Sequence, residues 1–494
     1  MKKKHLLLIV FIFLILSGCN KGEALGTDTL VVDDIDNIEL DSINRYEINV
    51  TLDSRNKTYT GEQTTTYVNN TGEVLDEIYF HLYPNAYKTV DSAPILFDRS
   101  FSDPISYIGG WIDIVDISRD DENLDYSIVG EDETILRVKL DEPLEPQDEI
   151  EIYMEYEVKL PSSKDRFGYG DRTINVGNWY PILCVYDEDG WDLEPYYKIG
   201  DPFYSDIADY DVNITTEKDI VIASSGNILT DDIQEDKRVY QIEGKLLRDF
   251  AWSASKEFKI KESKVDDTVI KLYYLDGKST MIKQSLEVAA NSIKKFNKIF
   301  GKYPYGQYSI VMTEFPSGME YPGIVFISNE YFDYTRRDML ETVIVHETAH
   351  QWWYGIVGLN QIKEAWLDES LATYSEVIYT KEVYGKARGK EYYNRQIRDG
   401  YDYGQLYLGD IQIVNKHLKY FSDWDEYGIL VYAKGPIFFD QIKRDYGEKV
   451  LYNILSEFYN SYKFKNATTE DLINVCELVT GDNFTRRADR WLNN

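Results

Sequence analysis

The chain has 494 residues, more than one compact core usually serves, and 43% of them are hydrophobic, so two or three folded domains are expected. A formal net charge of -33 excludes a nucleic-acid partner, because phosphate recognition needs a basic surface. Three cysteines, Cys19, Cys184 and Cys476, are too few for a disulfide framework. Cys184 and Cys476 read as buried thiols, with a bridge between them left open.

The N-terminus reads as an address. Lys2, Lys3 and Lys4 precede an unbroken apolar run from Leu6 to Leu16, too short to span a bilayer comfortably and suited to a signal segment. Leu16-Ser17-Gly18-Cys19 follows and resembles the lipobox of bacterial lipoproteins. That resemblance implies a signal peptide over 1–18, lipidation at Cys19, and an extracytoplasmic protein anchored to the bacterial cell membrane. Residues 19–43 are acidic and free of aromatics, and are expected to form an extended tether.

From residue 44 to 261 the chain alternates apolar and polar residues or is rich in β-branched and aromatic ones, as in "YEINVTLD" and "EIEIYMEYEVKL". An antiparallel β domain is expected there. The period then changes. Ile282, Leu286, Ala289, Ile293, Phe296 and Phe300 recur at steps of four and three, which marks an amphipathic helix that Gly301 can end. Two short strand-like runs, "YSIVMTEF" and "GIVFIS", come next, and residues 338–494 read mostly as helix. Residues 262–494 are therefore expected to form a mainly helical α+β domain.

The chemistry centres on His346-Glu347-Thr348-Ala349-His350. In a helix, residues i and i+4 share one face, so both imidazoles can reach one Zn²⁺. Glu347 lies about 100° round the same turn, where a general base is useful. A catalytic zinc takes three protein ligands, and Glu369, separated from His350 by eighteen residues within "KEAWLDESLATYSEV", supplies the third from a second helix. One zinc per chain is expected. His5, His81 and His417 are assigned no role, and His81 is expected in a strand.

Four segments carry a family resemblance: "HETAHQWW" with Glu369 in "WLDESLATY", "GMEYPGIVFIS" (318–328), Tyr432-Ala433-Lys434-Gly435, and "GKYPYGQYSIV" (301–311). Together they resemble the aminopeptidase N type of gluzincin zinc metallopeptidase, the group that includes leukotriene hydrolase. The resemblance implies a saddle-like N-terminal β domain, a thermolysin-like catalytic domain, and hydrolysis of N-terminal residues from peptides. It implies that Gly318, Met319 and Glu320 bind substrate, Glu320 through the free α-amine, and that Tyr432 donates to the developing oxyanion. Tyr321 stands where the family has Asn, which bears on the first specificity pocket. The chain ends soon after the catalytic segment, so a more open cleft and larger substrates are expected than in longer members. The alternatives are an endopeptidase with the same zinc chemistry, which would have no ammonium for Glu320 to hold, an epoxide hydrolase of the leukotriene type, and a catalytically silent binding lipoprotein.

Overall fold

The computed structural model describes residues 29–32, 35, 38, 40–94, 107–409 and 412–493. Cys19 and the signal segment lie outside the described residues. The alternating patterns fold as strands with one buried face: along Asn44–Asp53 and Glu149–Lys159 every second residue is buried. Such strands build an eight-stranded sheet in the order Asn227–Gln234, Lys237–Leu247, Ala208–Glu217, Asn44–Asp53, Thr58–Val68, Glu149–Lys159, Trp111–Arg119, Glu122–Asn123. Smaller sheets pack against it. The sheet departs from the antiparallel expectation at one place, where Asn44–Asp53 runs parallel to Ala208–Glu217. These strands are far apart in sequence, and hairpin logic constrains only strands that a short turn connects.

A second, five-stranded sheet has the order Lys259–Val265, Thr268–Tyr274, Gln307–Thr313, Ile324–Ser328, Gly318–Met319. Its first strand begins ahead of residue 262, so the change of sheet falls slightly before the division read in the sequence. Gln307–Thr313 and Ile324–Ser328 run parallel and are buried at every position, as strands covered on both faces must be. Helix α1, Ser279–Ile299, lays Ile282, Leu286, Ala289, Ile293 and Phe296 onto the core. Its two buried serines, Ser285 and Ser292, return their hydroxyls to the carbonyls of Met281 and Val288 at 2.9 Å, so neither is left unpaired. Helix α2, Arg337–Ala349, α3, Ala365–Tyr384, and α4, Lys386–Tyr392, follow. Helix α3 is buried on nearly all sides, consistent with its position at the centre of the helical layer.

Part of the expected tether is docked. Val31 N–H donates to Pro304 O at 2.7 Å, and Gly306 N–H to Thr29 O at 3.1 Å. Leu30 also packs on the core, a contact that the acidic composition of the stretch does not reveal. The two halves are also joined by Arg248. Its wholly buried guanidinium donates to Tyr354 O at 2.9 Å and Lys465 O at 3.3 Å, and to Ser205 O and Asn466 Oδ1. Gly358 permits this approach, since a Cβ there would overlap the guanidinium. Cys184 and Cys476 are free and buried, so no bridge joins them. Among the described residues no helix is long and apolar enough to cross a membrane.

Candidate metal centre

Helix α2 carries His346 and ends just before His350, whose backbone N–H still donates to His346 O at 3.2 Å. The helical register therefore points both imidazoles one way. Helix α3 brings Glu369 against them. The three donor atoms form a triangle: His346 Nε2 to His350 Nε2 is 3.1 Å, and Glu369 Oε2 lies 3.1 Å from the first and 3.3 Å from the second. Ligands about 2.0–2.1 Å from a tetrahedral zinc stand roughly 3.3 Å from one another, so the spacing fits that ion.

The far side of each ring supports the same fit. His346 Nδ1 is 2.7 Å from Glu376 Oε1, and His350 Nδ1 is 2.7 Å from Asp368 Oδ1. A carboxylate on Nδ1 keeps the proton there and leaves Nε2 as a lone-pair donor. Asp368 is fixed in turn by Gln361 Nε2, and Glu376 by the Tyr392 hydroxyl. Sequence reading missed these groups. Asp368 adjoins Glu369, and Glu376 lies seven residues on, two helical turns along the same stripe, so both were accessible to a helical-wheel argument.

Glu347 is buried beside the triangle. Burial raises its carboxyl to about 7, against the pull of His346 and His350. Gly318 lies directly against it: a Cβ there would sit 2.5 Å from Glu347 Cδ and 2.8 Å from Cγ. Gly318 and Met319 form the sheet's edge strand, paired among the described residues with Ile324–Ser328 alone. Glu320, the next residue, is buried and accepts from Gln361 Nε2 at 3.2 Å. Burial pushes its carboxyl well above the usual range, the charge of Asp201 adds to this, and His350 opposes it. For Glu369 burial works the same way, but the two histidines outweigh it and hold the carboxyl well below the ordinary value.

Tyr432 sits in a π-helical turn, Gly428–Lys434, a geometry often found at functional sites. Its hydroxyl donates to Glu369 Oε1 at 2.6 Å. Tyr321 turns away from this group. It is buried and donates to Asn178 Oδ1 at 2.8 Å, and Gly177 leaves room for its phenol. The aromatic residue thus ties the strand-edge motif to the first half of the chain. Asp201 comes from that half as well. Arg166 donates to its Oδ1, and a Cβ at neighbouring Gly200, φ +76°, would lie 3.1 Å from Tyr427. No local motif announces Arg166 or Asp201, because they meet the site only through the tertiary fold. Crowded carboxylates make the whole site attractive to a cation. His81 is a buried strand residue, held at a pKa of about 4 by burial, and His417 pairs with Glu194 at 3.2 Å, so both stand apart from the centre.

Residues 284–491 match the peptidase family M1 domain. The chain is similar to aminopeptidase N of Lactobacillus helveticus, 26% identical over 227 residues that cover 42% of this chain and 26% of that protein. It is likewise similar to probable aminopeptidase 1 of Sulfurisphaera tokodaii, 25% identical over 232 residues, 44% of this chain and 29% of that one. The match thus spans little more than a quarter of those relatives' length. Among solved structures, an M1 zinc metallopeptidase from Deinococcus radiodurans superposes with a TM-score of 0.63 at 15% identity over 92% of this chain and 93% of that one. A mutant of it bound to a Tyr-Ser-Ala substrate gives 0.64 at 15% identity, over 91% and 94%. The fold is that of the M1 metallopeptidases, a sheet-rich first half followed by a helical second half.

Proposed function

Because residues 284–491 match a peptidase family M1 domain, we propose that this protein is a zinc-dependent aminopeptidase that removes single residues from the free N-termini of peptides. The observation that carries the reading is the His346–His350–Glu369 triangle with Glu320 and Glu347 gathered at its edge. His346, His350 and Glu369 would hold the zinc, which when bound would supply Lewis acidity toward water and the scissile carbonyl. Glu347 accepts the proton of the attacking water at its carboxylate, which is buried beside the triangle. The Tyr432 phenol leaves Glu369 Oε1 and donates to the oxyanion that develops on the substrate. The open edge of Gly318–Met319 offers backbone groups to an extended peptide. Glu320 receives the α-ammonium, and that contact limits the residues ahead of the scissile bond to one.

From the lipobox-like Leu16-Ser17-Gly18-Cys19 we further propose that the chain lies outside the cytoplasm, anchored by lipid at Cys19, with the β half near residues 44–261 and the peptidase half near 262–494. Loss of membrane retention in Cys19→Ala tests the anchor, and a variant retained like the parent overturns it. The activity itself is tested with aminoacyl reporters bearing free or acetylated N-termini. Hydrolysis of the free series alone is expected. Equal cleavage of blocked substrates makes the protein an endopeptidase and overturns the assignment of Glu320.

A further inference from the structure

Gln361 stands between two carboxylates that serve different ends of the site. Its Nε2 donates to Glu320 Oε1 at 3.2 Å and to Asp368 Oδ2. Glu320 is the acid assigned to the substrate's α-ammonium. One of its oxygens, one of Glu347 and a ring nitrogen of His350 all lie within 4.8 Å of one another. Asp368 orients the metal ligand His350, with Oδ1 2.7 Å from Nδ1. A single amide thus joins the ammonium pocket to the metal centre. Gln361 lies in none of the segments that carry the family resemblance.

The amide is oriented by what it donates to. An ionised carboxylate only accepts, so the two neighbours turn Nε2 toward themselves and use both of its N–H bonds. The other end is left bare: Gln361 Oε1 is buried and has no donor among the described residues. An unpaired buried acceptor is unfavourable, and such local violations gather at functional sites. The backbone beneath is also held. Asn360 Oδ1 accepts from Ile362 N–H at 3.0 Å and Lys363 N–H at 2.9 Å, and Leu418 N–H donates to Ile362 O at 2.9 Å. Gln361 therefore reaches both acids from a fixed turn ahead of α3. Its bond occupies Glu320 Oε1 and leaves Oε2 for a substrate.

On the aminopeptidase reading, we infer that Gln361 is a positioning residue that aims Glu320 at the substrate's α-ammonium and, through Asp368, steadies His350. Recognition of a free N-terminus and retention of the metal then depend on one side chain. Without its N–H groups, Glu320 and Asp368 become two buried carboxylates with no shared donor, and like charges so placed move apart or take up protons. Either change turns Glu320 away from the ammonium.

The test compares two ligands of the zinc-loaded protein, leucine hydroxamate and its analogue lacking the α-amine. They share the side chain and the metal-binding head, so the ratio of their calorimetric affinities reads amine recognition alone, without turnover. The parent should prefer the amine by about a hundredfold. Gln361→Met, similar in length but without donors, should cut that ratio by about tenfold, the scale of one hydrogen bond to a charged group, and bind the analogue lacking the amine as the parent does. A packing defect would weaken both ligands alike and leave the ratio unchanged. In a Glu320→Gln background the same substitution should change the ratio no further, because Gln361 acts through Glu320. Zinc affinity in chelator competition should weaken several-fold, less than the roughly 10- to 100-fold expected for removing a ring's own partner. If Gln361→Met does not fold, Gln361→Asn is read instead, since it keeps the amide but retracts it by about 1.5 Å. A variant ratio within threefold of the parent's overturns the inference, and zinc affinity equal to the parent's overturns the link to His350. A parent that binds both hydroxamates alike overturns the assignment of Glu320 itself, so the two readings fail by different results.

Discussion

Gly318→Ala is the substitution whose consequence the geometry specifies most closely. The added methyl would fall 2.5 Å from Glu347 Cδ and 2.8 Å from Cγ, where non-bonded carbons settle at about 3.5–4.0 Å. Relief requires a shift of roughly 1 Å or more. The strand cannot easily give it, because Ser328 N–H donates to Ser317 O at 2.9 Å and Gly318 pairs with Ile327. The carboxylate therefore moves. A 1 Å misplacement of a catalytic group costs on the order of 10²-fold, and loss of a general base up to about 10⁴, so kcat on an aminoacyl reporter should fall by about 10²- to 10³-fold. Zinc content should remain at one ion per chain, since Gly318 touches no ligand atom, and the melting midpoint should change little. A variant that keeps kcat within threefold of the parent, with zinc bound, would falsify the placement of Glu347 as the base.

Three further outcomes are expected. Glu376→Gln removes the carboxylate from His346 Nδ1 and should weaken zinc binding by about 10- to 100-fold in chelator competition; unchanged affinity shows that the 2.7 Å contact does not orient the ring. Tyr432→Phe should retain zinc and lower kcat by about 10²- to 10³-fold with little change in KM, and an effect confined to KM assigns the phenol to binding. Burial raises Asp249 to about 7 from an ordinary 3.8, so the folded state holds this proton more tightly. The resulting stability is complete below pH 4 and is lost as pH rises through 7, on the order of a few kcal/mol. Asp249→Asn should flatten the pH dependence of the melting midpoint between 4 and 7, and an unaltered slope argues that the carboxyl is already charged in the fold.

The ligands could be read from the sequence because a helix makes i and i+4 neighbours whatever surrounds it. That one rule joins His346 to His350, and the strong helical pattern around Glu369 delivers the third donor. The alternation along Asn44–Asp53 likewise gave its buried face, but not its parallel partner, Ala208–Glu217, since register between distant strands is a tertiary property. Glu376 and Asp368 share a helix with Glu369 and were accessible to the same periodicity. Arg166, Asp201 and Gln361 were not. Each meets the site across a loop or from the other half of the chain, and nothing in local spacing encodes such a meeting. The docked segment 29–32 shows the same limit, because its backbone bonds to residues 304–306 and the seating of Leu30 on the core join stretches far apart in sequence.

Arg248 gives the two halves a relation beyond adjacency. A side chain from the β half closes hydrogen bonds onto carbonyls at Tyr354, just past the second histidine, and at Lys465, a hundred residues later. Lys465 O also accepts from Gly358 N–H at 2.8 Å, whereas among the described residues Tyr354 O takes its donor from the other half alone. Grafting the peptidase half onto a foreign β scaffold would bury an orphan carbonyl at Tyr354, four residues past the second histidine, unless the donor arginine came with it, so the two parts are not interchangeable modules, and recombination between relatives at this seam is constrained by a single guanidinium.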